Sequence, residues 1–127
     1  MTRRHYLTLI ILLALLSFCT HRAMAEQDLE STITYLLAYV KSADVVFIRN
    51  DREHTPDEAA THMRRKYEHF KDQIKTPEDF ILLAGTKSLV TGKAYQVRMK
   101  DGKTMLTQKW LENALEKYRE QRDGTGK

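Results

Sequence analysis

Cysteine is almost absent. Cys19 is the single one in 127 residues, and it lies in an apolar N-terminal run. Downstream of that run the chain has no disulfide and no cysteine nucleophile. An excess of charge of one sign is missing too. The formal net charge is +4, but Arg3, Arg4 and Arg22 all precede residue 26, and without these three the 21 basic residues fall to 18 against 17 acidic ones, a formal +1. A nearly neutral domain has no overall field to gather phosphates, so nucleic acid is not an expected partner. Nucleotide and nucleophile motifs are lacking as well. Gly85 to Lys93, GTKSLVTGK, has the flavour of a phosphate loop. Six residues separate its glycines where four are needed, and Ala94 follows Lys93 where Ser or Thr is needed. Ser88 has no His or Lys at a nucleophile-like spacing. No cofactor is implied, and no catalytic residue is assigned.

What the N-terminus does contain is an export signal pattern. Arg3 and Arg4 form a basic start, Tyr6 to Phe18 is apolar, and Ala23-Met24-Ala25 is a small-x-small cleavage site. The run is shorter than the roughly 20 apolar residues of a spanning helix. A signal peptide over residues 1–25 is expected, cleaved to release an exported domain with no stable membrane span. The alternative is an uncleaved signal that anchors the chain in the inner membrane. A lipoprotein cysteine at Cys19 is disfavoured by the bulky Phe18 before it. Arg3-Arg4 also fits a twin-arginine signal, while the Leu/Ile-rich core favours the general secretory route.

Residues 26–122 read as one domain, with 123–127 as a disordered tail. Leu29, Ile33, Leu36 and Val40 form a helical stripe over Glu26 to Ser42, flanked by Tyr35 and Tyr39 as core rim. Val45 to Ile48 reads as a strand buried on both faces, followed by a turn at Arg49-Asn50-Asp51. Thr55-Pro56-Asp57-Glu58 has every part of a capping box with proline at the first helical position. Its helix is expected to reach about Ile74, with a stripe of Ala59/Ala60, Met63, Tyr67, Phe70 and Ile74. Thr76-Pro77-Glu78-Asp79 repeats the start chemistry for a short helix that Gly85 stops. Ala94 to Lys100 alternates as a half-buried strand. Asp101-Gly102 is a hairpin turn signal, and Lys103 to Leu106 returns. Thr107 is expected to cap a last helix with Trp110/Leu111, Ala114, Leu115 and Tyr118 inside. The order α-β-α-α-β-β-α predicts a single compact α+β domain: four helices with a small two- to three-stranded antiparallel sheet.

The polar residues that carry chemistry concentrate in Phe47 to Lys66, where a strand feeds a helix start. Glu58 and His62 are i, i+4 neighbours, His69 lies seven beyond His62, and His54 stands just ahead of the cap. A zinc-type cluster or an acid–base pair is one reading of this group. Against it, Glu58 already has a capping role, and the spacing lacks the doubled ligand pattern of H-E-x-x-H. No metal site is therefore assigned. Arg49, at a strand end, suits bidentate capture of a ligand carboxylate. It equally suits an internal pair with Asp51, Glu53 or Asp57, and the internal pair is the expectation.

The pattern F-x-R-N-x-x-x-H-T-x-x-E-A-x-x-H-x-R-x-K over Phe47 to Lys66 continues into I-x-T-x-x-x-F-I at Ile74 to Ile81 and S-x-x-T-G-K-x-Y at Ser88 to Tyr95. It resembles the YfeK-type family of small exported bacterial proteins, a domain of unknown function. Asp51 stands where that family leads one to expect Gly, and Ala94 where it leads one to expect Pro. The resemblance implies a periplasmic location in a Gram-negative bacterium and supplies no activity. Arg49, Asn50, His54, Glu58, His62 and Tyr95 are the candidate ligand- or partner-binding patch, by our own reading of the residues. The expected function is a non-catalytic binding or interaction module of the bacterial envelope, with an unknown envelope protein or small ligand as partner. The alternative is a small periplasmic hydrolase or metal-binding protein using His54, Glu58 and His62.

Overall fold

A computed structural model describes residues 2–126. Met1 and Lys127, the last residue of the expected tail, lie outside the described residues. The elements in order are α1 (Thr2–Lys41), β1 (Val46–Arg49), β2 (Arg52–His54), α2 (Pro56–His69), α3 (Pro77–Ala84), β3 (Gln96–Arg98), β4 (Thr104–Leu106) and α4 (Thr107–Gly124). The class is α+β, as the element order predicts. The chain divides into two units, Met1–Ser31 and Thr32–Lys127.

The first unit is helical, and Leu7 to Phe18 expose their large apolar side chains. Helix α1 begins far ahead of the expected Glu26 because no proline or glycine interrupts residues 2–41. By length and composition alone, His5–Lys41 is apolar enough to cross a membrane, a test that a signal sequence also passes.

In the second unit the last turns of α1 bury Ile33, Leu36, Leu37 and Val40. Tyr35 stacks on Tyr118, with ring centroids 4.1 Å apart, and Tyr39 lies 4.7 Å from Trp110, so both form the core rim. Phe80, Leu111 and Val97 sit at the centre of this core.

The sheet has four strands in the order β2-β1-β3-β4, every pair antiparallel. That is one strand more than expected. The extra one, β2, reads Arg-Glu-His and carries no hydrophobic signal. It exists because a two-residue turn folds the chain back on β1. As an edge strand, its charges also discourage pairing with another chain. A second correction concerns β1. Phe47 is buried while Val46 and Ile48 are half-buried, so the strand has one core face and one wet face. Phe47 faces inward, edge-on to Trp110 at 5.5 Å.

Both Thr-Pro starts form full capping boxes. Glu58 N–H donates to Thr55 Oγ1 at 3.2 Å while Thr55 N–H donates to the Glu58 carboxylate at 2.8 Å. Asp79 and Thr76 do the same at 3.1 and 3.0 Å. Helix α2 ends at His69, short of Ile74. A turn closed by Gln73 and Ile74 N–H on the Phe70 carbonyl still delivers Ile74 to the core. Helix α4 lacks the expected Thr107 cap. Leu106 occupies the N-cap position without a side-chain hydrogen bond, and Thr107 is the first helical residue. The helix runs on through Gly124, into the polar tail.

Candidate functional site

The site begins with the turn between β1 and β2. Asn50 and Asp51 both take left-handed backbone, with φ of 51° and 61°. That is the signature of the two-residue hairpin turn whose twist matches its strands. The turn sets Arg49 opposite Arg52 and Phe47 opposite His54, while β3 sets Val97 opposite Phe47. Side chains alternate along a strand, and directly opposed residues share a face. Arg49 and His54 therefore lie on the same face of the sheet as Phe47 and Val97, the face that meets the helices. From the helix side, α2 brings His62 beside Ala59 and Met63. These residues, with Tyr95 and Thr107, line one cleft of about 20 Å3.

Arg49 makes none of the ion pairs expected of it, though its charge is among those that lower the Glu58 pKa. Each carboxylate expected to pair with it has another cation. Asp51 pairs with Lys93, Glu53 with Arg98, and Asp57 with Lys41 at 3.3 Å. Among the described residues the Arg49 guanidinium makes no hydrogen bond or ion pair. The physical reason is directional. Asp51 lies in the turn and reaches Lys93, which the loop after α3 supplies. Glu53 lies on the opposite sheet face from Arg49 and reaches Arg98 there.

His62 and Tyr95 meet across the cleft wall, with His62 Nε2 and the Tyr95 hydroxyl 3.1 Å apart. Burial pushes the His62 pKa down to about 4, and the Arg49, Lys66, His54 and Arg65 charges push the same way. At neutral pH His62 is therefore an uncharged hydrogen-bonding group. Burial also raises the Tyr95 pKa, so its hydroxyl stays protonated. Behind Tyr95 lies Lys66, a residue the sequence reading left unplaced. It is buried, its Nζ donates to the Lys87 carbonyl at 2.8 Å, and it stands 5.1 Å from the centre of the Tyr95 ring. Burial, then the Arg49 charge, lowers its pKa to about 8.

Thr107 completes the cleft. Its backbone N–H donates to the Tyr95 carbonyl at 2.9 Å. Its hydroxyl is fully buried and has no hydrogen-bond partner. Most buried hydroxyls are satisfied, so an orphan beside a cleft calls for an explanation.

Of the six candidate residues, Arg49, His54, His62 and Tyr95 converge on this cleft. Asn50 and Glu58 are used by the fold. The Asn50 side-chain oxygen accepts from the Thr91 hydroxyl at 2.6 Å. Glu58 closes the α2 cap, which lowers its pKa, and His54 Nδ1 stands 3.7 Å from it. Glu58 and His62 make no hydrogen bond with each other, and His69 is exposed against Phe70, 4.7 Å between ring centres. Among the described residues no group of three His, Cys, Asp or Glu side chains could hold a metal ion. The Ser88 hydroxyl is buried and accepts from the Val90 and Thr91 amides, which fixes its own loop.

Comparison with known proteins places the chain in a family. The model of a family of unknown function, DUF5329, matches residues 27–119. The chain is also similar to the uncharacterized protein YfeK of Salmonella typhimurium (strain LT2), 36% identical over 67 residues. That match covers 52% of this chain and 56% of the relative, so the chain spans little more than half the relative's length. No solved structure matches.

Proposed function

Because the chain belongs to the DUF5329 family, which is of unknown function, we propose from the site itself that it is a binding module of the bacterial envelope. The cleft around Arg49 is its recognition site. The observation that carries this reading is the unpaired guanidinium. An arginine set among Asp51, Glu53 and Asp57, with all three engaged elsewhere, is held ready for an anionic group from outside the chain. His62 and Tyr95 supply uncharged hydrogen-bonding groups beside it, and Phe47 and Met63 supply apolar wall. That mixture is typical of a small ligand site.

In this reading the exposed apolar helix ahead of Glu26 is an export signal, cut after Ala25, and the domain works in the periplasm. Mass measurement of the protein recovered from cells tests this part. A chain beginning at Glu26 supports it, and a chain retaining Leu7 to Phe18 in the membrane fraction overturns it.

The binding reading is tested with protein expressed from the full-length chain, wild type beside Arg49→Ala. The two should melt alike when alone, since Arg49 has no internal partner to lose. A periplasmic extract should raise the melting temperature of the wild type and leave Arg49→Ala unmoved. Equal response of the two proteins overturns the cleft as the recognition site.

A further inference from the structure

We infer that the cleft receives a single carboxylate group, held by the Arg49 guanidinium with the Thr107 and Tyr95 hydroxyls donating to its oxygens. This rests on the reading of the cleft as a recognition site and names what it recognises.

The first argument is charge. Arg49 has no carboxylate partner, and the buried Lys66 ammonium is met by a neutral carbonyl. Glu58 is nearby, but it is exposed and one of its oxygens is occupied by Thr55 N–H. The first turn of α4, where Thr107 stands, carries no acidic residue to oppose the positive end of its helix. The Arg49 and Lys66 cations thus outnumber the one carboxylate that feels the Arg49 charge, Glu58, and an added anion is favoured.

The second argument is the orphaned donor. Thr107 is 0% exposed, lines the cleft, and its hydroxyl has no partner. A ligand oxygen at that point would remove the cost of leaving it unpaired. With His62 neutral and carrying its proton on Nε2, that N–H donates to the Tyr95 oxygen 3.1 Å away, which leaves the one Tyr95 O–H to donate to the ligand.

The third argument is size. The space open to the centres of water-sized atoms is about 20 Å3, room for a small terminal group and not for a whole metabolite. Arginine's planar fork takes either a carboxylate or a phosphate in bidentate fashion, and the flatter carboxylate is the one so narrow a space favours. The group following the carboxylate would rest on Phe47 and Met63.

Such a group ends either a small organic acid or a peptide chain, and the test separates them. Protein expressed from the full-length chain is titrated with sodium acetate, sodium propionate, a tripeptide with a free C-terminus, and the same tripeptide amidated. Acetamide and inorganic phosphate serve as controls. Binding is read by melting temperature and by NMR shifts of Thr107 and Tyr95. Acetate or propionate should bind saturably and acetamide should not. Arg49→Ala should weaken binding at least about tenfold and Arg49→Lys by less, as loss of a charge-assisted pair requires. Thr107→Val should weaken it roughly two- to tenfold, while the ligand-free melting temperature holds or rises. Tighter binding of the free-ended tripeptide than of propionate assigns the site to chain ends, and the reverse assigns it to small acids.

Equal binding of acetamide or phosphate, or no saturable carboxylate binding, overturns the inference. If Arg49→Ala still loses the response to periplasmic extract in that case, the recognition site stands and only the ligand class falls.

Discussion

His62 Nε2 lies 3.1 Å from the Tyr95 hydroxyl, and the two rings meet edge-on with centres 5.9 Å apart. A pair 33 residues apart in sequence thus joins α2 to the loop leading into β3. The imidazole in this contact is neutral at physiological pH, because burial and the surrounding cations hold the His62 pKa at about 4. An unfolded histidine titrates near 6.5. Between these values the unfolded chain binds the proton and the folded one does not, so stability falls as pH drops from 6.5 toward 4. The loss from this residue is at most about 3 kcal/mol at full protonation, and less because the half-buried ring is partly screened by solvent. Urea unfolding across this range should show the decline in wild type and a flatter curve in His62→Gln. The capping carboxylates Glu58 and Asp79, whose pKa values are lowered, lose their contributions only in more acidic solution. Parallel curves for the two proteins would refute the buried, neutral state.

Lys66 gives the opposite end of the pH scale. Its folded pKa of about 8 lies below the ordinary 10.5. From pH 8 to 10.5 the unfolded chain therefore holds a proton that the folded chain has released, and stability rises with pH. Lys66→Met lacks this titration. The stability of wild type relative to Lys66→Met should grow across that window by up to about 3 kcal/mol. A constant difference would mean that the ammonium is solvated and is not buried behind Tyr95.

Local chemistry was readable in the sequence, and long-range pairing was not. The two Thr-Pro boxes, the alternation around Val97 and the helical stripe of Leu36 and Val40 each depend on neighbours within a few residues, and each formed. Strand β2 was missed because Arg52, Glu53 and His54 pair through backbone geometry alone. Lys66 had a visible signal. It follows Ala59 and Met63 at i+7 and i+3, on the buried stripe of α2, yet the expected stripe did not include it. Arg49 could not be assigned from sequence, since three acidic residues lay within reach. Only the positions of Lys93, Arg98 and Lys41 showed which cations those acids take. Thr107 resembled a cap, and one residue of register made it the first buried position of α4 instead.

The turn that aims Arg49 carries a cost at Asp51, whose φ is 61°. Side chains disfavour this region, and asparagine followed by glycine is the preferred pair for such a turn. The YfeK-type pattern also leads one to expect glycine there. Asp51→Gly should stabilise the domain by about 0.5–1 kcal/mol. Its ion pair with Lys93 is highly exposed, so little is lost with it. Asp51→Ala keeps the strain and loses the local polar side chain, so it should fall below wild type. Denaturant midpoints in the order Gly, Asp, Ala would bear this out. Any order that puts Ala above Gly would contradict the left-handed turn.

Gly85 tests how closely α3 approaches α4. The sequence marks Gly85 as the stop of α3, and its φ of −111° is open to any residue. Its role is proximity. A Cβ built there would stand 2.5 Å from Leu111 Cδ1 and 3.2 Å from the Ile81 carbonyl oxygen. Leu111 is fully buried, so any shift of its methyl is into the surrounding core. Packing as dense as a crystal turns one extra methyl group into displaced neighbours. Gly85→Ala should destabilise the domain by about 1–3 kcal/mol through this overpacking. Leu111→Val in the same chain removes the obstructing methyl. The two changes together should therefore cost less than the sum of their separate effects, because each relieves the strain or void the other creates. Strict additivity in urea unfolding would mean that the helices are spaced more widely at this point than the contact between Gly85 and Leu111 requires.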